Sequence, residues 1–471
     1  MIQSLTQDTS IHAIPMTGVS KESLSSVLNE LSPLEKKWLE SMGFEGWPRT
    51  LCIIPNNDHT ISHVLYGMSE DPYEQMWDPA FLARALPKEF VYHFAHFPSS
   101  EMMALTWALG GYNFHVSANK GRSLPTLLVD TTINLKSVED TLTSIEWVRT
   151  LINCPSNILH PQALADEAKT LAKTFGATIT EIIGQDLLTH HYPLLYAVGR
   201  TATAKEFEPR MIRLEWGNPS DFHTALIGKG ITFDTGGLNL KTGNYMDLMK
   251  KDMGGAALVL GLARWVMSQE LPLHLSVYIP IAENGIGTNA MRPGDIIKSR
   301  EGLTVEITDT DAEGRLILAD ALSAAAEEDP DVMLDFSTLT GAARVALGPD
   351  IPVFFVSDST YQDLIRSSSK ETMDALWSLP LWDDYADGLK STVADLKNTP
   401  PSSLGGSITA ALFLKRFTQN KPWVHVDLMA WNVQEKPGRP VGGEAQSFRA
   451  FCTVLKKLAS GAMKKQKPSP S

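Results

Sequence analysis

Two segments of this sequence, residues 228–257 and 307–322, place acidic residues among glycines and small apolar residues. A lone carboxylate in such surroundings loses solvation unless it is paired or holds a cation. Both segments follow strand-like runs, and the carboxyl ends of parallel strands are where α/β proteins place their active groups. Four carboxylates converging there would balance two divalent ions. They are Asp234, Asp252, Asp311 and Glu313.

Single residues of these segments have simpler explanations. An acid after a strand, such as Asp234 or Asp311, is most often a helix cap or a solvated turn residue. Lys229 and Lys241, taken alone, would be surface charges. Arg315 is different, because it falls at a first helical turn, where the helix dipole favours anions over cations. That position indicates an anion-binding role for Arg315.

Competing motifs fail on details. Gly228-Lys229 is reminiscent of a phosphate-binding loop, but Gly230 stands where Ser or Thr is required, and GxGxxG, HExxH and GxSxG are absent from the sequence. A calcium loop nearly fits, with Asp309 at its first position and Asp320 at its twelfth. However, residues 303–307 alternate as a strand where that motif needs a helix, and Asp320 falls inside a predicted helix at 315–328. The calcium-loop interpretation is therefore disfavoured.

The elements that must position these residues alternate along the chain. Up to about residue 135, strand-like runs (50–54, 62–66, 90–97) alternate with helix-like runs (20–31, 33–42, 79–85, 100–109), which predicts a small α/β unit. A helix at 136–152 follows and ends at a break signal, Asn153-Cys154-Pro155. We interpret it as a connector between domains, although a surface helix of the first domain explains the pattern equally well.

Beyond residue 157, helices such as 161–175 alternate with apolar strand-like runs (211–216, 224–228, 274–282, 332–336, 352–356, 423–429). This alternation predicts an α/β fold with a mostly parallel central sheet covered by helices. The predicted organisation is an N-terminal α/β domain at 1–135, the connecting helix at 136–152, a larger catalytic domain at 153–460 and a flexible tail at 461–471. The basic stretch from Lys456 onward is expected to be a frayed, solvated end.

Composition narrows the function classes. The 471 residues carry a formal net charge of −13, which disfavours nucleic acid as the main partner. The N-terminal residues do not resemble a signal peptide, and no apolar run approaches the roughly 18 residues of a membrane span. Cys52, Cys154 and Cys452 are too dispersed for a disulfide framework or a metal knuckle. We therefore expect a cytoplasmic protein without membrane contact.

Together the motifs resemble the leucine (cytosol) aminopeptidase family over about residues 153–429. The matching stretches are GKGITFDTGG, the lysine of LNLK, MDLMKKDMGGAA, TDAEGRLILADAL, STLTGA and GGSITAALFL. The resemblance implies a metalloexopeptidase that binds two divalent metal ions, Zn²⁺ or Mn²⁺ with Mg²⁺ as a third candidate, together with bicarbonate. It also implies a homohexamer whose active sites face an inner cavity.

The resemblance assigns a role to each matched position. The metal ligands would be Lys229, Asp234, Asp252, Asp311 and Glu313. The catalytic pair would be Lys241, which stabilises the oxyanion, and Arg315, which holds a bicarbonate that carries the proton. The substrate-binding residues, which would line the pocket for the N-terminal side chain and hold the peptide backbone, would be Met249, Thr338, Leu339 and Gly341. Chemically, a lysine amine coordinates a metal only when it is unprotonated, so Lys229 should be buried.

These assignments predict release of single N-terminal residues, apolar and Leu- or Met-like, through a hydroxide activated by two metals. A two-metal dipeptidase or amidase is the alternative enzyme, and a DNA-associated or interaction protein on the same fold is the alternative in another class. The chain departs from the family pattern at Asp309, usually Asn, at Lys250-Lys251, usually basic then apolar, and along 438–451. The first domain carries no recognisable motif.

Overall fold

The computed structural model describes residues 4–56, 60–95, 100–116 and 122–461. The chain divides into two compact units. The first comprises Met1–Glu146 and Gln434–Val441, and the second comprises Trp147–Val433 and Gly442–Ser471. The return of residues 434–441 to the first unit was not expected from the sequence, because it depends on contacts made far along the chain. The domain boundaries given above stay a prediction.

The first unit is an α/β layer. Its strands are β1 (Leu5–Thr6), β2 (Ile14–Val19), β3 (Leu51–Pro55), β4 (Ile61–Gly67), β5 (Val91–Phe94) and β6 (Thr126–Leu128). Its helices are α1 (Leu24–Glu30), α2 (Pro33–Ser41), α3 (Pro72–Gln75), α4 (Asp78–Ala85) and α5 (Glu101–Leu109). The sheet has the order β1-β6-β5-β2-β4-β3, with β3 antiparallel to β4 and the other neighbours parallel.

Local hydrogen bonds explain where the predicted elements shift. The helix predicted from residue 20 begins only at Leu24, because the backbone amides and hydroxyls of Ser20 and Ser23 bond to one another in a turn. The strand predicted at 90–97 ends at Phe94, and residues 96–99 lie outside the described part of the chain. Helix α6 (Leu135–Asn153) covers the predicted connector and crosses the division between the units at residue 146.

The second unit alternates helices and strands as predicted. Its helices are α7 (Pro161–Phe175), α8 (Asp186–Thr189), α9 (Pro193–Gly199), α10 (Gly254–Ser268), α11 (Gly314–Ala326), α12 (Gly341–Leu347), α13 (Ser359–Thr372), α14 (Gly406–Lys415) and α15 (Phe448–Ala459). Its first strands are β7 (Thr178–Ile183), β8 (Arg210–Trp216), β9 (Phe222–Gly228), β10 (Gly230–Asp234), β11 (Leu273–Asn284), β12 (Ile296–Lys298) and β13 (Thr304–Glu306). The later strands are β14 (Val332–Ser337), β15 (Val353–Val356), β16 (Trp377–Ser378), β17 (Leu396–Lys397), β18 (Trp423–Asp427), β19 (Trp431–Asn432) and β20 (Gly442–Gly443). Short 3-10 turns lie at Lys205–Phe207, Gly243–Met246, Met249–Met253 and Asp383–Leu389.

The large sheet of this unit has the order β16-β15-β18-β14-β9-β11-β8-β7. Its centre, β18-β14-β9-β11, is parallel, and β15, β8 and β7 add antiparallel pairings toward the edges. Every residue of β14 and β18 is buried, as expected for strands covered on both faces. The predicted α/β class with a mostly parallel sheet is confirmed.

The carboxyl ends of the central strands lead into the motif segments. Lys229 separates β9 from β10, and both strands run parallel to the long strand β11. Gly255 allows the start of α10 to approach this point, because a Cβ there would lie 2.0 Å from the carbonyl oxygen of Phe336. Gly314 is needed because a Cβ at this position would lie 2.5 Å from Cε of Lys229. The glycines of the motifs therefore make room for Lys229 between two helices.

Two sequence expectations concern the ends and the membrane. Residues from Lys456 to Ala459 were expected to be frayed, but they belong to α15, whose apolar face buries Phe451, Leu455 and Leu458. Residues 462–471 lie outside the described part of the chain. Among the described helices, none combines the length and the apolar character needed to cross a membrane.

Candidate metal centre and active site

A cavity of about 490 Å³ opens at the carboxyl ends of the central strands of the second unit. The structure brings every residue predicted for the site to this one cavity. Its lining includes Lys229, Asp234, Lys241, Met249, Asp252, Asp311, Glu313, Arg315, Thr338, Leu339 and Gly341. They come from the ends of β9, β10 and β14, the loop after β10, the turn at Met249–Met253, the loop before α11, and the starts of α11 and α12.

The deepest part of the cavity is an ion cluster around Lys229. The ammonium of Lys229 lies 2.7 Å from Oδ2 of Asp252 and 2.9 Å from Oε1 of Glu313. All three side chains are almost fully buried, with 3%, 4% and 1% exposed. We call Lys229, Asp252 and Glu313 the inner cluster.

A second ion cluster lies nearer to solvent. The ammonium of Lys241 lies 2.8 Å from Oδ2 of Asp234 and 2.7 Å from Oδ1 of Asp311. Lys241 is 13% exposed and Asp311 33% exposed, whereas Asp234 is buried. We call Lys241, Asp234 and Asp311 the outer cluster.

The carboxylates of the two clusters form a donor set suited to divalent cations. One oxygen each from Asp234, Asp252 and Glu313 lies within 4.8 Å of the others. Oxygen-rich sets of this kind suit Mg²⁺, Mn²⁺ and Zn²⁺. Three buried carboxylates at this separation repel one another, and the repulsion is relieved by positive charge between them or by protonation of one of them. The residues therefore fit the metal centre that the motifs imply.

Burial and charge shift the pKa values of these groups in opposite directions. Burial, and then the charge of Asp234, raises the pKa of Glu313 above the ordinary carboxyl value. The same two causes raise the pKa of Asp311. Burial alone would lower the pKa of Lys229, but the charges of Asp252 and Glu313 outweigh it and raise that pKa. The pKa of Asp252 is instead lowered, despite its burial, chiefly by the charge of Lys229. The charged forms of Glu313 and Asp311 are therefore disfavoured even with both lysines in place.

Asn284 joins the two clusters, although the sequence motifs do not include it. Its Nδ2 donates to Oδ1 of Asp234 at 2.8 Å and to Oε2 of Glu313 at 3.3 Å, and also to the carbonyl oxygen of Thr310. The side chain is 2% exposed. A buried amide in this position fixes which carboxylate oxygens turn toward the cavity. Its only sequence signal is its place at the end of the long strand β11.

Arg315 lies deep in the cavity wall. Its Nη1 donates to the carbonyl oxygen of Asn398 at 2.5 Å, while its buried Nε has no hydrogen-bond partner. Burial lowers the pKa of Arg315 to about 10. Asn398, which the sequence did not indicate, also accepts from the backbone amides of Thr308 and Asp309. It therefore links Arg315 to the loop that carries the acids of the second motif.

Asp309 is a structural residue of that same loop. Its Oδ1 accepts from the backbone amide of Asp311 at 2.9 Å. Asp320, the twelfth position of the rejected calcium loop, instead accepts the backbone amides of Leu194, Leu195 and Arg300. It therefore caps other parts of the chain and does not complete a calcium loop.

The predicted substrate-binding residues form one wall of the cavity. The hydroxyl of Thr338 donates to Oδ1 of Asp252, one of the predicted metal ligands, at 2.7 Å. The following loop is held by Asp427 at the end of β18, which accepts the backbone amides of Leu339 and Thr340 and the hydroxyl of Thr340. Asp427 was not predicted, because it lies beyond the motif segments in sequence and reaches the loop only through the pairing of β14 with β18.

Two further cations line the cavity. Lys251, 2% exposed, lies beside Asp252, and Arg344 lies on α12. Burial, and then the charge of Arg344, lowers the pKa of Lys251 to about 7. The unusual Lys250-Lys251 pair was visible in the sequence, but its burial was not. Lys250 points elsewhere, since its ammonium donates to the carbonyl oxygen of Asn153.

Fold and site together define an α/β protein whose parallel strands end in a cation-binding pocket of carboxylates and lysines. Family models agree with this class. The catalytic domain of the cytosol aminopeptidase family matches residues 146–452, and the M17 aminopeptidase N-terminal domain matches residues 14–129. The chain belongs to the cytosol aminopeptidase family. The second match assigns the first unit to a known domain, although the sequence analysis found no motif there.

Curated relatives carry the same name. A probable cytosol aminopeptidase of Syntrophotalea carbinolica is 41% identical over 316 residues, which cover 66% of this chain and 63% of the relative. One from Chlamydia trachomatis is 40% identical over 358 residues, which cover 73% of this chain and 71% of the relative. The matched region thus spans between about three fifths and seven tenths of these relatives.

Solved structures extend the similarity along nearly the whole chain. A cytosol aminopeptidase from Coxiella burnetii superposes with a TM-score of 0.90 at 41% identity, covering 96% of this chain and 98% of that one. The bottromycin maturation enzyme BotP in complex with Mn gives 0.83 at 29% identity, covering 95% and 99%. A tomato leucine aminopeptidase mutant gives 0.80 at 26% identity, covering 96% of each chain.

Proposed function

We propose that this protein is a metal-dependent aminopeptidase, which hydrolyses the first peptide bond of a peptide and releases the N-terminal residue. The observation that carries the proposal is the meeting of Asp234, Asp252 and Glu313 around Lys229 at strand ends, in a chain of the cytosol aminopeptidase family. The names of the relatives support the same activity.

The metal ligands proposed are those of the two clusters without Lys241, namely Lys229, Asp234, Asp252, Asp311 and Glu313. The buried inner cluster together with Asp234 would form the tighter site, and Asp234, Asp311 and Glu313 the exchangeable one. When bound, two divalent ions would supply Lewis-acid polarisation of the scissile carbonyl and lower the pKa of a water molecule. Zn²⁺ and Mn²⁺ are the main candidates, with Mg²⁺ third, and the Mn-bound neighbour BotP supports manganese.

Lys241 is proposed to stabilise the negative charge that develops on the carbonyl oxygen. Its ammonium is partly exposed to the cavity, so a substrate oxygen can reach it without displacing buried groups. Preorganised positive charge at such a position acts on the transition state more strongly than on the ground state.

Arg315 is proposed to hold a bicarbonate that carries the proton. The unpartnered Nε of its buried guanidinium and its place at the start of α11 both favour an anion. Protein stripped of carbonate should regain activity when bicarbonate is returned, and Arg315→Ala should lose this response while retaining its metals. If the wild-type protein shows no bicarbonate dependence after rigorous degassing, Arg315 is a structural brace between α11 and Asn398.

The central experiment is metal removal combined with substrate comparison. Chelation should abolish activity, and metal analysis of active protein should approach two ions per chain, as expected for a two-metal centre. Acetylation of the peptide N-terminus should abolish cleavage, because a free α-amine is what distinguishes an aminopeptidase substrate. Fully active protein without metal, or internal cleavage of acetylated peptides, would contradict the proposal.

The alternatives are separated by the same assay. A two-metal dipeptidase would prefer a dipeptide over a longer peptide, and an amidase would prefer an amino-acid amide over both. A DNA-associated role predicts a gel shift at physiological salt, which the net charge of −13 disfavours. We also propose a homohexamer in the cytoplasm, as the family resemblance implies, and light scattering in solution would test the assembly.

A further inference from the structure

Lys251 and Arg344, which we call the basic pair, line the same cavity as the proposed metal ligands. Lys251 lies on the turn Met249–Met253, two residues from Met249. Arg344 lies on α12, three residues after Gly341. The basic pair is therefore carried by the same two segments as the wall that the family resemblance assigns to the N-terminal side chain of the substrate.

Neither cation has a matching anion among the described residues. The Nη1 atom of Arg344 is enclosed and without a hydrogen-bond partner. The Lys251 ammonium, in a side chain only 2% exposed, makes no side-chain hydrogen bond or ion pair within the described part of the chain. Lys251 is buried, and Arg344 is partly exposed with its Nη1 enclosed, so an anion bound in the cavity against both side chains would stabilise their charges.

The acids of the cavity are already engaged by other groups. Asp252 and Glu313 pair with Lys229, and Asp252 also accepts the hydroxyl of Thr338. Asp234 and Asp311 pair with Lys241, and Asp309 accepts the backbone amide of Asp311. The carboxylate oxygens of Asp427 accept the backbone amides of Leu339 and Thr340. The anion that would satisfy the basic pair must therefore come from a bound molecule.

We propose that the basic pair recognises the side-chain carboxylate of an acidic N-terminal residue, so that the enzyme prefers peptides beginning with Glu or Asp. This inference rests on the proposed aminopeptidase function. An N-terminal side chain is the favoured source of the carboxylate, because the cations lie beside Met249 and Gly341 and not at a separate position. Arginine binds carboxylates through a planar pair of N–H groups, which an uncharged amide does not match. The expectation of apolar N-terminal residues is the competing outcome.

The test compares N-terminal residues of equal shape and different charge. Metal-loaded protein is assayed with fluorogenic Glu, Gln, Asp, Asn, Leu and Met substrates that differ only in that residue. We expect kcat/KM for Glu to exceed that for Gln by at least about tenfold, because the Gln complex leaves the buried Lys251 and the enclosed Nη1 of Arg344 without an anion. Arg344→Gln should reduce the Glu-to-Gln ratio by about tenfold or more, and Arg344→Lys should restore part of it.

Matched variants separate recognition from structural damage. Arg366 is an exposed arginine on α13 that donates to Ser378, and Arg366→Gln should leave the Glu-to-Gln ratio unchanged. Lys251→Met should also reduce the ratio, and metal analysis shows whether the neighbouring Asp252 still binds its ion. Circular dichroism and thermal melting identify any variant that fails to fold, in which case Arg344→Lys and Lys251→Met decide the matter.

The outcomes distinguish this inference from the proposed function. If Leu or Met substrates are cleaved at least as well as Glu by the wild-type protein, the inference is overturned and the aminopeptidase function stands. If Arg344 instead governs the advantage of a dipeptide over its C-terminal amide, the basic pair binds the C-terminal carboxylate and the inference is also overturned. If none of the substrates is cleaved by fully metal-loaded protein, the proposed function itself fails.

Discussion

The inner and outer clusters are built from the same components but differ in their access to solvent. Each places one lysine ammonium 2.7–2.9 Å from two carboxylates. In the inner cluster no side chain is more than 4% exposed, whereas Asp311 of the outer cluster is 33% exposed. Water can therefore replace a lost partner in the outer cluster and cannot do so in the inner one.

The difference in solvent exposure predicts different roles for the two clusters within one cavity. Charges that water cannot reach hold their geometry firmly, because any displacement leaves an unpaired buried charge. Charges near solvent can exchange partners at lower cost. The inner cluster is thus suited to permanent binding, and the outer cluster to exchange and to contact with substrate.

The largest expected effect comes from breaking the inner cluster. Asp252→Asn should lower the free energy of unfolding of metal-free protein by about 3 kcal/mol, because it leaves Lys229 with one buried partner. Activity should fall by at least about 10³-fold, since a proposed ligand is lost. Denaturant unfolding measures the change in stability, and a peptidase assay with metal analysis measures the loss of activity and of the ion. The matched outer variant, Asp311→Asn, should change stability by no more than about 1 kcal/mol. Equal destabilisation by the two variants would show that the clusters do not differ as their burial indicates.

A smaller effect is expected from the outer lysine. Lys241→Ala should lower kcat by about 10² to 10³, the typical loss when one donor to an oxyanion is removed. Its metal content should remain, because Lys241 is not among the proposed ligands. Lys169, which pairs with Asp166 and Glu181 away from the cavity, provides the control, and Lys169→Ala should retain full turnover. Loss of metal from Lys241→Ala would mean that the outer lysine holds the centre together.

Removing the Asn284 amide, which links the two clusters, should have an intermediate to small effect on metal binding. Asn284→Ala deletes the amide that bonds to Asp234 and Glu313, and it should weaken metal affinity by about 10- to 100-fold. Isothermal titration calorimetry, with metal added to the metal-free protein, measures this change in metal affinity. If only one of the two metal-binding steps weakens, Asn284 supports metal binding at one cluster only. Its hydrogen bond to the other cluster then contributes nothing to metal affinity.

The smallest effect is expected at Asp309. Asp309→Asn restores the family's usual residue and keeps an oxygen that can accept the amide of Asp311, so activity should stay within about threefold of wild type. The metal preference is expected to shift, because one negative charge is removed beside the outer cluster. Comparing the activities of the variant and the wild type with Zn²⁺, Mn²⁺ and Mg²⁺ measures this shift in metal preference. Damage as severe as that from Asp252→Asn would show that the ligand register is wrong.

The predictable part of the fold follows from local physics. Helix α7 coincides with the predicted 161–175, because its apolar residues recur at helical spacing and Gly176 ends it in a left-handed conformation. The buried strands were predicted for a similar reason, as short apolar runs between helices. The predictions failed where local hydrogen bonds or distant packing decided the outcome, at the start of α1 and in the last turn of α15.

The four acids of the site could be proposed from the sequence by itself, because carboxylates among glycines and small apolar residues leave few alternatives to ion pairing or metal binding. The roles of Lys229 and Lys241 followed only from the resemblance to the family. Tertiary structure alone decided which lysine pairs with which acids, since Lys229 and Glu313 meet only through packing of α11 against the end of β9. It also decided the roles of Asn284, Asn398 and Asp427, ordinary polar residues that become specific only when strands distant in sequence bring them to the cavity. Lys251 and the Nη1 atom of Arg344 show the same point for charge, because a positive group needs an anion only when the fold encloses it away from water.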